Sequence, residues 1–178
     1  MKPIPHVHLG FTSETVPTGT HICQIYTNAQ ERDDSLRRFL ARGLRDGEYT
    51  ACFSGHASPG ELRAFFAEEG IALQDELDRG SLLLHGTEEV YFQDEVFNPD
   101  RMLGLLKDFH AESVRRNHPA ARVIGEMSPR ISAIRGGKRL LEYEARVSLQ
   151  LREYPVTAVC QYNAADFHDH ISGTWRDD

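Results

Sequence analysis

The 178-residue chain lacks most of the short motifs that announce a chemistry. It has no GxxxxGK[ST], the turn whose backbone amides and lysine hold nucleotide phosphates. It has no GxSxG, so no nucleophile elbow is encoded. Neither CxxC nor HxxxH occurs, so no metal site can be argued from local spacing. No apolar run approaches the roughly 20 residues needed to span a bilayer. The opening residues, MKPIPHVHLGF, lack the apolar core of a secretory signal. Positive charge is short, with 20 Lys+Arg against 27 Asp+Glu and a net charge of -7, which argues against nucleic acid as a partner because phosphate binding needs a basic face. Cysteine is scarce too. The three, Cys23, Cys52 and Cys160, are odd in number and each lies in an apolar run. They read as reduced, buried thiols in a cytoplasmic protein that has no membrane segment.

What is present reads as one domain. Hydrophobic content of 40% and charged content of 26% are ordinary for a globular chain of this length. Extended and helical segments alternate. THICQIY at 20–26 reads as a strand, and DDSLRRFLARGLRD at 33–46 as a helix with an apolar stripe of Leu36, Phe39, Leu40, Gly43 and Leu44. YTACFS at 49–54, SLLLHG at 81–86, ARVIGEM at 121–127 and TAVCQYN at 157–163 read as further strands. Ser58-Pro59 and Asn98-Pro99 are cap-plus-proline helix starts. Residues 138–153 form another helix by their spacing, and a short one is expected over 164–172. The pattern predicts an α/β fold: three layers, with a mostly parallel sheet covered by helices on both faces. Residues 87–98 and 128–137 read as flexible connections, the second as a mobile lid ending in a glycine pair.

The junction after the first strong strand is informative. In a nucleotide-binding α/β protein it would carry the phosphate loop. Here it reads YTNAQERDDS, with neither glycine nor lysine, and with Glu31, Asp33 and Asp34 where a helix N-terminus would otherwise attract an anion. The scaffold therefore looks like a nucleotide-binding one with its phosphate site erased, which points to a sensor before an enzyme.

Ligands of open α/β sheets bind outside the carboxyl ends of the strands. That rule selects Tyr26 and its loop, Ser54 to His56, Glu126 to Ser128 and Gln161 to Asn163. Glu126 leaves a buried strand and is either a loop cap, the partner of an arginine such as Arg130, or a ligand anchor. Glu144 interrupts the helical seam Leu140, Val147, Leu151 and needs a partner, for which Tyr26, Tyr162 and Arg122 are candidates. Tyr143 beside it offers a phenol. His21 and Cys23, at i and i+2, share one face of a strand. Two ligands are too few for a metal unless Cys160 joins them, so a packed pair is the plainer expectation.

Together THICQIY with its acidic loop, LARGLRDGEY, RVIGEMSP, LLEYEARVS and VCQYNAADF resemble the MEDS domain, the sensory domain of methanogen and methylotroph regulators including DcmR-like proteins. The resemblance covers about residues 17–170. It implies a RecA/KaiC-like fold without a P-loop, with parallel strand order 81–86, 49–54, 121–127, 157–163, 21–26. It also implies a ligand-sensing module for small hydrocarbon derivatives, coupled to a downstream signalling protein such as a kinase, transcription regulator or anti-sigma factor. The family-like positions are His21, Cys23, Tyr26, Glu126, Tyr143, Glu144, Cys160 and Tyr162. No output domain accompanies the module within these residues, so a stand-alone sensor or an excised piece is expected, with room for a homodimer.

Four functions compete on these residues. The first is a non-enzymatic cytoplasmic sensor with no cofactor. Its small organic ligand would sit at the carboxyl edge of the sheet, walled by the three tyrosines and oriented by Glu126 and Glu144 in one pocket. The second is a metal, haem or thiol-redox sensor using His21, Cys23 and Cys160. The third, an enzyme working through the two glutamates, has no nucleophile or cofactor motif beside them. The fourth is a pure interaction module, marked by an exposed apolar patch without a concave pocket.

Overall fold

The computed structural model describes residues 4–166. A small antiparallel hairpin, β1 (His6–His8) and β2 (Thr15–Pro17), precedes the main body. The main sheet has five parallel strands: β3 (His21–Tyr26), β4 (Tyr49–Phe53), β5 (Leu82–His85), β6 (Ala121–Glu126) and β7 (Val156–Asn163). Their order is β3-β7-β6-β4-β5, the order expected above. The continuous apolar runs of β6 and β7 have their physical reason here, since both strands are covered on both faces and buried almost throughout. In register Cys23 lies opposite Cys160, and Glu126 opposite Gln161.

Side-chain parity sorts the two faces. On one side α1 (Ala29–Arg45), α2 (Pro59–Glu68) and α3 (Leu73–Asp78) bring Leu36, Phe39, Leu40, Leu62 and Phe66 against Ile124 and Val159. On the other, α4 (Thr87–Tyr91), α5 (Pro99–Arg115) and α6 (Leu140–Glu153) bring Met102, Leu106, Tyr143, Val147 and Leu151 against Val123, Ala158 and Cys160. Asn28, Ser58 and Asn98 cap α1, α2 and α5 with their side chains. The first of these caps shows that α1 begins several residues before the apolar stripe suggested.

Arg122 crosses to the α1 side, where it is fully buried. Its fork grips the Glu48 carboxylate with two hydrogen bonds of 2.6 Å, and its third nitrogen donates to the Phe39 carbonyl at 3.0 Å. The guanidinium carbon also lies 4.7 Å from the Phe39 ring centroid. Gly43 makes room for it, because a Cβ there would lie 2.5 Å from Arg122 Cδ. Arg122 is thus occupied on the face opposite Glu144 and is not that residue's partner.

Several other expectations change. Residues 87–98 are not an open connection: α4 and a 3-10 turn (Gln93–Glu95) bury Val90, Tyr91, Phe92 and Phe97. The segment 128–137 is pinned by Ile131, whose carbonyl would lie 1.7 Å from a Cβ at Gly137. The hairpin and α3 were not foreseen, being too short for periodicity to register. The expected helix over 164–172 falls mainly outside the described residues, and 164–166 form a turn.

Candidate functional site

The eight positions singled out from the sequence do not form one pocket. The structure divides most of them between two polar clusters on opposite faces of the sheet.

The first cluster lies at the carboxyl ends of β3, β4 and β6, on the α1 face. Asn28 Oδ1 accepts the Glu31 amide at 2.9 Å, and the Glu31 carboxylate accepts the Thr27 amide at 3.2 Å and the Thr27 hydroxyl at 3.4 Å. Two of the backbone amides at this helix start are therefore taken by the chain's own side chains, one of them a carboxylate. Beside this closed end, the buried Glu126 accepts hydrogen bonds from the Tyr26 hydroxyl at 2.9 Å and the Ser54 hydroxyl at 3.1 Å. Arg32 Nη1 reaches it at 3.4 Å, and His56 Nε2 lies 3.6 Å away. Burial, then the hydrogen bond to Glu126, push the Tyr26 phenol up to about 12.

Around Glu126 runs a cleft of about 650 Å³, walled by Tyr26, Arg32, His56, Thr87, Ser128 and Asn163 among others. Thr87 is buried, and its hydroxyl finds no hydrogen-bond partner among the described residues. Thr87 and Arg32 were missed in the sequence. Arg32 had a signal, since a buried carboxylate on β6 required a cation and the acidic junction contains one arginine. Arg130, the cation suggested by proximity in sequence, pairs with Glu88 instead.

The second cluster lies on the α6 face, around the middle of β3 and β7. Glu144 Oε1 accepts the Tyr162 hydroxyl at 2.5 Å, while Oε2 lies 3.2 Å from His21 Nε2 and 3.4 Å from Cys23 Sγ. His21 Nε2 is also 3.3 Å from Cys160 Sγ. Burial first and Glu144 second raise both thiols, Cys23 to about 12 and Cys160 well above the usual range. His21, Glu144 and Cys160 present ligand atoms within 4.8 Å of one another.

Glu144 and Glu126 therefore do not share a pocket, which corrects the one-pocket expectation. The cause is parity: Cys160 and Tyr162 face α6, whereas Gln161 between them faces α1 and donates to the Arg32 carbonyl at 3.0 Å. His21, Cys23, Cys160 and Glu144 are also away from the carboxyl edge. Tyr143 belongs to neither cluster. It packs edge-on against Phe97, with ring centroids 5.5 Å apart, beside an apolar void of about 30 Å³, room for little more than a water molecule.

Comparison with known proteins fits this geometry. The sequence model of one family, MEDS: MEthanogen/methylotroph, DcmR Sensory domain, matches residues 20–173. The chain belongs to the MEDS family. By the family's description it is a sensory domain. A solved KaiC-like protein from the hyperthermophilic archaeon Pyrococcus horikoshii OT3 superposes with a TM-score of 0.62. The match covers 91% of this chain and 73% of that one at 14% identity, so the likeness shows the fold alone. No curated protein matches. The MEDS domain here thus keeps a KaiC-like parallel sheet, and no helix among the described residues is long and apolar enough to cross a membrane.

Proposed function

We propose that this MEDS domain is a non-enzymatic, cytoplasmic sensor that takes a small organic molecule in the Glu126 cleft and signals to a downstream kinase, transcription regulator or anti-sigma factor. The observation that carries the reading is the cleft itself. Its volume of about 650 Å³ suits a small ligand. At its floor stands a carboxylate already fixed by three donors, and in its wall a buried hydroxyl still lacks a partner. A hydroxyl or amine on a small carbon skeleton matches both: a hydrogen meets Glu126, while Thr87 Oγ1 donates to a hydroxyl oxygen or accepts from an ammonium group. A phosphate fits less well, because the carboxylates of Glu88, Glu126 and Asp166 line the cleft and would repel it.

A thermal-shift panel of short alcohols, diols and amines tests this. A ligand at one hundred times its Kd stabilises by about 2.7 kcal/mol, which is about 5–11 °C in Tm for a chain of this size. The shift should vanish in Glu126→Gln and shrink in Thr87→Val. Shifts that survive both substitutions would place the ligand elsewhere. Magnesium-ATP should give no heat of binding; micromolar binding would reject the closed phosphate site.

A further inference from the structure

A different site carries an inference independent of the Glu126 cleft. We propose that His21, Glu144 and Cys160, with Cys23 as fourth ligand, bind one zinc-class divalent cation on the α6 face of the sheet.

Geometry comes first. Zinc bonds of about 2.0–2.3 Å to nitrogen, oxygen and sulfur give tetrahedron edges of about 3.3–3.8 Å between ligand atoms. Three separations lie at or within about 0.1 Å of that range: 3.2 Å from His21 Nε2 to Glu144 Oε2, 3.3 Å from His21 Nε2 to Cys160 Sγ, and 3.4 Å from Cys23 Sγ to Glu144 Oε2. His21, Glu144 and Cys160 form the tight trio within 4.8 Å. Cys23 lies just outside that trio, on the edge strand β3, and is exposed to solvent.

Proton placement comes second. The Ser148 hydroxyl donates to the Glu144 carbonyl at 3.2 Å, so toward His21 Nδ1, 2.8 Å away, it acts as acceptor. In the neutral imidazole that arrangement places the proton on Nδ1 and turns the Nε2 lone pair toward the Glu144 carboxylate. Two acceptors at 3.2 Å repel unless something positive stands between them. A metal would satisfy both atoms and two sulfurs at once.

The surrounding support is of the kind metal ligands need. The second nitrogen of His21 is held by Ser148, and the second oxygen of Glu144 by the Tyr162 hydroxyl. An entry path exists as well, since His21 and Ser148 form part of the wall of an open groove of about 790 Å³. The donor set of one nitrogen, one oxygen and two sulfurs favours zinc over calcium or magnesium, which take oxygen ligands.

The test is titration of the metal-free full chain, purified under reducing conditions, with Zn²⁺ by calorimetry and with Co²⁺ by absorption spectroscopy. The expected result is one ion per chain, a tetrahedral cobalt spectrum, and a near-ultraviolet thiolate-to-cobalt band. Cys23→Ser and Cys160→Ser should each reduce that band to about half, as one thiolate of two is lost. His21→Ala should weaken zinc binding at least about tenfold. Cys52→Ser, whose thiol is buried in the other core, should change nothing. The exposed position of Cys23 makes its serine variant safe for the fold, so the test survives even if Cys160→Ser does not fold. Absence of stoichiometric zinc binding, or a cobalt band indifferent to Cys23→Ser, overturns the proposal. Either outcome leaves the Glu126 cleft untouched, because ligand shifts there are read without metal.

Discussion

Changing Glu126 to glutamine keeps the shape of the side chain and removes its charge, and the structure dictates what that should cost. Ser54 Oγ already accepts two backbone amides, from His56 at 3.1 Å and Ala57 at 3.2 Å. Its lone pairs are engaged, so its proton has to go to Glu126 Oε2 at 3.1 Å. An amide nitrogen placed there would set donor against donor. Flipping the amide only moves the conflict to Oε1, where Arg32 also has nothing but donors to offer. Either way one charge-assisted hydrogen bond is lost in a buried place, a loss of about 1.5–3 kcal/mol. The weaker 3.4 Å contact with Arg32 adds at most about 1 kcal/mol, because Arg32 keeps its bond to Asp33. The total is about 1.5–4 kcal/mol, or about 3–16 °C in Tm. Urea unfolding followed by circular dichroism, with and without Ser54→Ala in the background, measures it. The two substitutions should be less than additive, since they break the same contact. A loss below about 0.5 kcal/mol, within the range of ordinary surface changes, would show that these donors do not hold the carboxylate and would refute the reasoning.

Glu48→Gln should destabilise by about 3–5 kcal/mol, because it strands the Arg122 charge in the interior; a loss under about 1 kcal/mol in urea unfolding would contradict the buried pair. The Tyr26 phenol, raised to about 12, keeps its proton when folded after an ordinary tyrosine has lost it. Its contribution to stability is therefore complete below pH 10 and falls away as pH rises from 10 to about 12. In Glu126→Gln the phenol should titrate closer to the ordinary value; ring-carbon NMR that shows no change would exclude Glu126 as a cause. Cys23, exposed yet raised to about 12 by burial of its sulfur and by Glu144, should react with iodoacetamide at pH 8 more slowly than a free thiol when metal-free. Glu144→Gln should accelerate it, and a wild-type rate equal to that of free cysteine would contradict the contact.

The sheet was legible because its causes are local and repeated. Buried parallel strands leave unbroken apolar runs, and Ser58-Pro59 and Asn98-Pro99 mark helix starts by a mechanism that acts within one turn. The acidic helix start was legible as well, through the acids of the junction, although Asn28 and Glu31 as the residues that accept its amides became clear only with the structure. What failed was the assignment of faces. Tyr26, Glu126, Tyr162 and Glu144 were grouped because strand ends and a helical seam put them near one edge. Which face each side chain takes depends on the register of β7 between β3 and β6, and no short-range pattern encodes that register. The segments 87–98 and 128–137 failed for a related reason. Their polar residues and glycines look like loop composition, but Phe97 packs on Tyr143 of α6, and Tyr91 and Ile131 are buried in the same core.

Parity along β7 also explains how one sheet can serve two clusters. Cys160 and Tyr162 enter the His21–Glu144 group, while Gln161 between them is fully buried on the other side. There its amide nitrogen lies within hydrogen-bond distance of the Gln24 side-chain oxygen at 2.9 Å, the Arg32 carbonyl at 3.0 Å and Ser35 Oγ at 3.1 Å, which share its two hydrogens. Arg32 in turn contacts Glu126. The two clusters are thus joined by three consecutive residues of one buried strand and a single arginine, with no loop between them. A P-loop protein draws its ligand contacts from backbone amides at a helix end. Here Glu31 takes the Thr27 amide at that end, and the polar contacts around Glu126 and Glu144 come from side chains on the strands and on the helices beside them. Those side chains can be exchanged without disturbing the ladder, so one parallel sheet can carry different sets of polar contacts.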